Sequence, residues 1–167
     1  MSVSLQCHFL IGIPGSGKST LANQLAYLLP NSAIVSTDRI RQQLYGSEII
    51  QGEWQEIEVE VISQIENAIA NHHHIIYDAT NAKRSHRLDM LQKLARFNLQ
   101  SIAWYIDTPI AICKQRNQKR SRCVPETVID SMAESLKLFP PTLAEGFTLI
   151  NRLNPTQIQM SNLSNFS

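Results

Sequence analysis

The chain is poor in several things at once. Charged residues make up 17% and aromatics 7% of its 167 residues, and the formal net charge is +1. So thin and balanced a charge argues against an acidic disordered segment and against a globally basic nucleic-acid binder, so any nucleic-acid surface has to be local. Cysteine is scarce: Cys7, Cys113 and Cys123 have no metal-like spacing and fit free thiols in a reducing cytosol better than a disulfide framework. A cytoplasmic protein is therefore expected. No hydrophobic run is long enough to span a bilayer. The stretch "MSVSLQCHFLIGIPG" lacks a basic n-region and a small-residue cleavage site, so it reads as a strand entering a glycine loop. Internal repeats and low-complexity blocks are missing too. The length suits one domain with a real core, and so a single site.

What the chain does have is alternation. Candidate strands are residues 4–11, "AIVS" at 33–36, "HIIYD" at 74–78, "SIAWYID" at 101–107 and "FTLIN" at 147–151, short and rich in Ile, Val and aromatics as buried parallel strands are. Helical patterns lie between them. Over 54–71, Trp54, Ile57, Val61, Ile65 and Ala68 recur at threes and fours and share one face. Such alternation predicts an α/β domain, a parallel sheet covered by helices on both sides. The domain is expected over 1–153. Residues 154–167, ending in the polar and unperiodic "TQIQMSNLSNFS", are expected to be a flexible tail.

"IGIPGSGKST" at 11–20 satisfies G-x-x-x-x-G-K-[ST] through Gly12, Gly17, Lys18 and Ser19, after a strand and before a helix. Its glycines let successive N–H groups point into one concavity, and the helix N-terminus adds positive charge. Gly12, Pro14, Gly15, Ser16, Gly17, Lys18, Ser19 and Thr20 are therefore the expected phosphate site. Lys18 would reach the β- and γ-phosphates, and the Ser19 hydroxyl would ligate Mg²⁺. The guanine-reading N-K-x-D pattern is missing, since "NQKR" at 117–120 lacks its order and its aspartate. ATP is the better nucleotide.

Strand C-termini line the ligand crevice of a parallel sheet, so "STDRIRQQLYG" after the second strand should face the phosphate loop. Asp38 can accept the proton of an attacking hydroxyl. Arg41, one turn on, can hold an acceptor phosphate or stabilise developing charge. The plainer reading is that Asp38 is only a helix N-cap, a position Asp favours. "HIIYDATN" places Asp78 like a Walker B acid that orients Mg²⁺ directly or through water. Asn81 either hydrogen-bonds the acceptor or fixes the loop as an Asx-type turn.

"CKQRNQKRSRC" at 113–123 gathers Lys114, Arg116, Lys119, Arg120 and Arg122 without an acid, and Pro125 then permits a new helix. A basic segment between two helices has the makings of a helical lid that presses arginines on a triphosphate. Arg116 and Arg120, spaced one helical turn apart, are the lid candidates; Lys114 and Lys119 read as a solvated face. Three consecutive histidines in "NHHHII" cannot all face one ion from a regular strand, so that stretch reads as a helix-to-strand connection.

Taken in order, "GIPGSGKST", "STDRIR", "DATN", "RNQKR" followed by "VP", and "EGF" at 145–147 resemble the P-loop kinase family that includes the kinase domain of bacteriophage polynucleotide kinase, over roughly residues 6–151. The resemblance implies a P-loop NTPase three-layer sandwich with strand order 2-3-1-4-5. It also implies that Lys18 and Ser19 bind the phosphates and Mg²⁺, Asp38 is the general base, Arg41 contacts an acceptor phosphate, and Arg116 or Arg120 acts from the lid. One departure is that Ala79 stands immediately before the Thr-Asn pair, where the viral kinase has an acid, and Asp78 lies one residue further back.

The functional expectation is an ATP-dependent kinase acting on a hydroxyl, with a 5′-hydroxyl polynucleotide end as the leading acceptor. A small-metabolite acceptor is the rival within kinases, and the near-neutral charge leans that way. A nucleotide-dependent regulatory ATPase, with water as its only acceptor, is the rival from another class. The pairing of Asp38 and Arg41 opposite the loop, which a switch does not need, argues against it.

Overall fold

The computed structural model describes residues 4–154. Of the expected C-terminal tail, 155–167 lies outside the described residues. Five strands form one sheet: β1 (Gln6–Ile11), β2 (Ser32–Ser36), β3 (His74–Asp78), β4 (Gln100–Ile106) and β5 (Leu149–Leu153). Their order is β2-β3-β1-β4-β5 and every pairing is parallel. Helices α1 (Lys18–Leu28), α2 (Thr37–Tyr45), α3 (Trp54–Ala70), α4 (Arg84–Leu94), α5 (Ile110–Gln118) and α6 (Glu126–Leu138) connect them. Among the described residues no helix is long and apolar enough to cross a membrane.

Alternate strand residues face opposite sides of a sheet, and here both sides are apolar. Cys7, Phe9 and Ile11 of β1, with Ile75 and Tyr77 of β3, join Ile57, Val61 and Ile65 of α3, Met90 of α4 and Ile129 of α6 in one buried cluster. Leu10, Ile76, Trp104 and Ile106 turn the other way, onto Leu21, Ala22 and Leu25 of α1. The expected three-layer sandwich and strand order are both present.

The strand bounds moved most at β5. Phe147 belongs to the expected strand by its apolarity, but it precedes β5, next to Gly146 at φ 118°, and packs edge-on against Phe9 at 5.3 Å. The strand instead runs on to Leu153, past Arg152, whose guanidinium reaches the Asp107 carboxylate at 2.5 Å. His72 and His73 lie in the connection between α3 and β3, as expected. His74 begins the strand and its Nδ1 accepts from the Gln6 amide at 3.1 Å.

β1 is where the connections change direction, since β2 and β3 lie to one side of it and β4 and β5 to the other. The carboxyl edge at such a switch point is the crevice of this architecture. The phosphate loop leaves β1 there. Ser36 and Asp78, register partners that end β2 and β3, lie beside it.

Candidate active site

The phosphate loop is fixed by close approach. Gly15, at φ 82°, passes so near α5 that a Cβ there would sit 2.5 Å from the Cys113 carbonyl oxygen. Gly17, at φ 109°, caps α1 in the left-handed region that glycine enters without a steric cost. The loop is tied to its neighbours as well: the Gly12 amide donates to the Thr80 carbonyl at 3.0 Å, and the Thr108 hydroxyl donates to the Ser16 carbonyl at 2.8 Å. The Ser16 hydroxyl is buried.

Lys18 Nζ bends back across the loop to donate to the Ile13 carbonyl at 3.0 Å. Desolvation lowers its pKa, while the Asp78 and Asp38 carboxylates pull it up and Arg120 opposes them. Both carboxylates and Arg120 therefore converge on the lysine. The Ser19 hydroxyl donates to Asp78 Oδ2 at 3.3 Å. Burial raises the Asp78 pKa, and Lys18 and the Ser19 hydrogen bond act against that rise. A hydroxyl and a carboxylate in contact beside a lysine are the hard oxygen ligands Mg²⁺ prefers, and a bound cation would favour the ionised carboxylate. The loop and these side chains thus fit a nucleotide triphosphate with its metal.

Asp38 is not the N-cap of its helix. That task falls to Ser36, whose hydroxyl accepts from the Arg39 amide at 3.5 Å, so Asp38 sits one residue inside α2 with its carboxylate free for other partners. Arg41 Nη1 donates to Asp38 Oδ1 at 3.0 Å, as the one-turn spacing predicts. The same oxygen accepts from Arg122 Nη1 at 2.6 Å, a contact that sequence reasoning missed. It was missed because helical spacing singled out Arg116 and Arg120, whereas α5 ends at Gln118 and the spacing has no meaning beyond it. The basic segment accordingly begins inside α5 rather than between two helices.

Arg116, in the last turn of α5, donates to the Gly15 carbonyl at 3.2 Å and so rests on the phosphate loop. Arg120, exposed beyond the helix end, acts on Lys18 through space. Lys114 is occupied elsewhere, with Asp130 of α6 at 2.8 Å. Asn81 faces inward: its amide donates to the Leu10 carbonyl at 2.8 Å with the backbone at φ 48°, the loop-fixing alternative of its two sequence roles. Asn117 had no sequence signal. Buried at the end of α5, its side chain donates to the Val124 carbonyl at 2.8 Å and accepts from the Val124 amide at 2.9 Å, which closes the loop between α5 and α6 at its base.

A carboxylate flanked by two guanidinium groups, facing a phosphate loop with its lysine and its serine–aspartate pair, defines a P-loop kinase-like domain. The chain matches the AAA domain family over residues 8–139 and belongs to it. It is 27% identical over 134 residues to L-seryl-tRNA(Sec) kinase of Methanococcus maripaludis, which covers 75% of this chain and 50% of that protein. The chain thus spans about half the length of the curated relative it matches. Among solved structures, the Pnkp1/Rnl/Hen1 RNA repair complex contains a chain that superposes with a TM-score of 0.72 at 22% identity, covering 83% of this chain and 46% of that one. A sugar kinase from Janibacter sp. HTCC2649 superposes with a TM-score of 0.63 at 16% identity, over 96% of this chain and 93% of its own. These structural likenesses show the fold.

Proposed function

We propose that the protein is an ATP-dependent kinase that moves the γ-phosphoryl group of ATP to a hydroxyl, with a 5′-hydroxyl polynucleotide end as its acceptor. The observation that carries this reading is Asp38: a half-exposed carboxylate bonded to Arg41 and Arg122, whose charge reaches Lys18 and opposes the drop that burial imposes on the lysine pKa. A regulatory ATPase has no use for such a group.

In this reading Lys18 and the loop amides hold the β- and γ-phosphates. Ser19 and Asp78 hold Mg²⁺, which would neutralise charge developing on the phosphate oxygens. Asp38 takes the proton of the acceptor hydroxyl as that oxygen attacks the γ-phosphorus and the bond to the β-bridging oxygen breaks. Arg41 orients the acceptor through its phosphate. Arg116, already on the phosphate loop, and Arg120 supply positive charge from the lid, where charge spreads over the transferring group.

Three observations favour a nucleic-acid acceptor. The curated relative acts on an aminoacyl-tRNA by its name, and a structural neighbour belongs to an RNA repair complex. Trp54 and His86 also stack with rings 5.7 Å apart and 7° from parallel, in the first turns of α3 and α4. Both turns lie at the carboxyl edge of the sheet, where an unpaired base can stack on an aromatic ring. The net charge of +1 and the full-length likeness to a sugar kinase favour the second reading, a small-metabolite acceptor.

Radiolabelled ATP offered first with 5′-hydroxyl oligonucleotides and then with a panel of metabolites tests the proposal. Label on the oligonucleotide, with acceptor binding that weakens steeply with salt, is the expected result. Label on a metabolite only selects the second reading, and label in inorganic phosphate only refutes both.

A further inference from the structure

The acceptor side of the site holds more positive charge than it uses. Arg41 and Arg122 have side chains only 14% and 15% exposed, and both meet the same Asp38 oxygen through Nη1, while Arg41 Nε donates to the Gln51 carbonyl at 3.4 Å. No described residue donates to Asp38 Oδ2. One carboxylate thus faces two largely desolvated guanidinium groups, which leaves a net positive charge where the acceptor must sit. Each guanidinium carries five N–H donors, and the Asp38 bonds use one from each.

Arg122 does not arrive there by chance of a loose loop. It is two residues before Val124, whose amide and carbonyl are both held by the buried Asn117 side chain. Residues 119–123 are therefore a loop closed at its base, which carries Arg122 across to α2.

We propose that Arg122 is a second specificity-determining residue for the acceptor: it joins Arg41, to which the reading above already gives the acceptor phosphate, in clamping that phosphate beside the reacting hydroxyl. Oδ2 of Asp38 remains open to the hydroxyl proton while the remaining N–H groups of the two arginines donate to the phosphate oxygens. The inference rests on the phosphotransfer reading above. It adds that the lid reaches the acceptor through Arg122 as well as the nucleotide through Arg116 and Arg120.

The test compares two pairs of acceptors, thymidine against thymidine 3′-monophosphate and glucose against glucose 6-phosphate, with wild type, Arg122→Ala, Arg122→Gln and Arg122→Lys. The wild type is expected to prefer the phosphorylated member of the pair it uses. Arg122→Ala should raise the KM for that member about 10- to 100-fold, the range a charge-assisted hydrogen bond spans, and should move the KM for ATP less. Arg122→Lys should recover part of the loss. Which pair responds separates a nucleic-acid end from a phosphorylated metabolite, and either outcome supports the clamp. Preference for the neutral member overturns it, as does an Arg122→Ala or folded Arg122→Gln variant that affects both members equally. Transfer to no hydroxyl, with ATP still hydrolysed, rejects the phosphotransfer reading itself and the clamp with it.

Discussion

Replacing Glu145 probes how the site is anchored to the fold. Arg87 of α4 is fully buried, and each of its five N–H groups has a partner. Nε and Nη2 meet the two Glu145 carboxylate oxygens at 2.7 Å each. Nη1 meets the Asn81 and Ala82 carbonyls at 3.1 and 3.2 Å, and Nη2 also meets the Phe139 carbonyl at 2.9 Å. Through Glu145 and the Phe139 carbonyl, Arg87 ties the chain that follows α6 to the loop after β3, and that loop in turn holds the end of β1 through Asn81 and the phosphate loop through Thr80. Removing one partner of a buried ion pair costs about 3–5 kcal/mol, because the other charge stays desolvated. Glu145→Gln keeps the shape and one acceptor oxygen, so it should fall near about 3 kcal/mol. Arg87→Met strips three carbonyls as well and should reach about 5 kcal/mol. At about 2–4 °C per kcal/mol for a domain of this size, melting should drop by roughly 6–20 °C. Urea denaturation of Glu145→Gln, Glu145→Leu, Arg87→Met and the double variant Arg87→Met/Glu145→Leu measures the effect, and the double variant should cost at least about 1 kcal/mol less than the sum of Arg87→Met and Glu145→Leu. Single losses below about 1 kcal/mol, or strict additivity, would refute the reasoning.

Three further outcomes follow from the geometry. Gly15→Ala places a methyl 2.5 Å from the Cys113 carbonyl at a φ of 82°, so calorimetry should find ATP affinity lower by at least about tenfold. His8 is buried and accepts from Trp104 Nε1 through Nδ1; desolvation, helped by His74, lowers its pKa to about 4. Below its ordinary value of 6.5 the unfolded chain protonates first, so stability present above about pH 6.5 should fall by on the order of 3 kcal/mol as pH drops to about 4. Urea titrations at pH 7.5 and 4.5 should show that loss in the wild type and less of it in His8→Gln; an equal loss in both contradicts the assignment. Cys7 and Cys113 are buried and Cys123 is exposed, so one thiol should react readily with a disulfide reagent in the native state. ATP and acceptor together should slow that reaction, since Cys123 follows Arg122; unchanged labelling counts against a lid that closes over both.

The parts of the molecule that sequence revealed are those where local chemistry and tertiary position coincide. Phosphate-loop glycines, the β-branched strands and the apolar stripe of α3 have no other good use, and the structure places them as read. β5 slipped because a buried Phe147 resembles a strand residue, although its burial comes from the turn packing on Phe9. Arg122 was hidden among basic neighbours for a different reason. Its partner lies 84 residues earlier, and the Asn117–Val124 pairing that aims it is irregular backbone with no period to read. Asn81 shows the reverse: a polar residue at the sheet edge invites a ligand role, yet the same edge leaves the Leu10 carbonyl needing a donor.

The central claim is that Asp38 serves as the base toward an acceptor hydroxyl. The measurement that tests it most directly is the rate of γ-phosphoryl transfer from radiolabelled ATP to a 5′-hydroxyl oligonucleotide by Asp38→Asn, with ATP affinity measured in parallel. Asparagine keeps the shape and an acceptor for Arg41 and Arg122 but cannot take the proton. Transfer should fall about 10²- to 10⁴-fold while ATP still binds. Transfer near the wild-type rate would contradict the account.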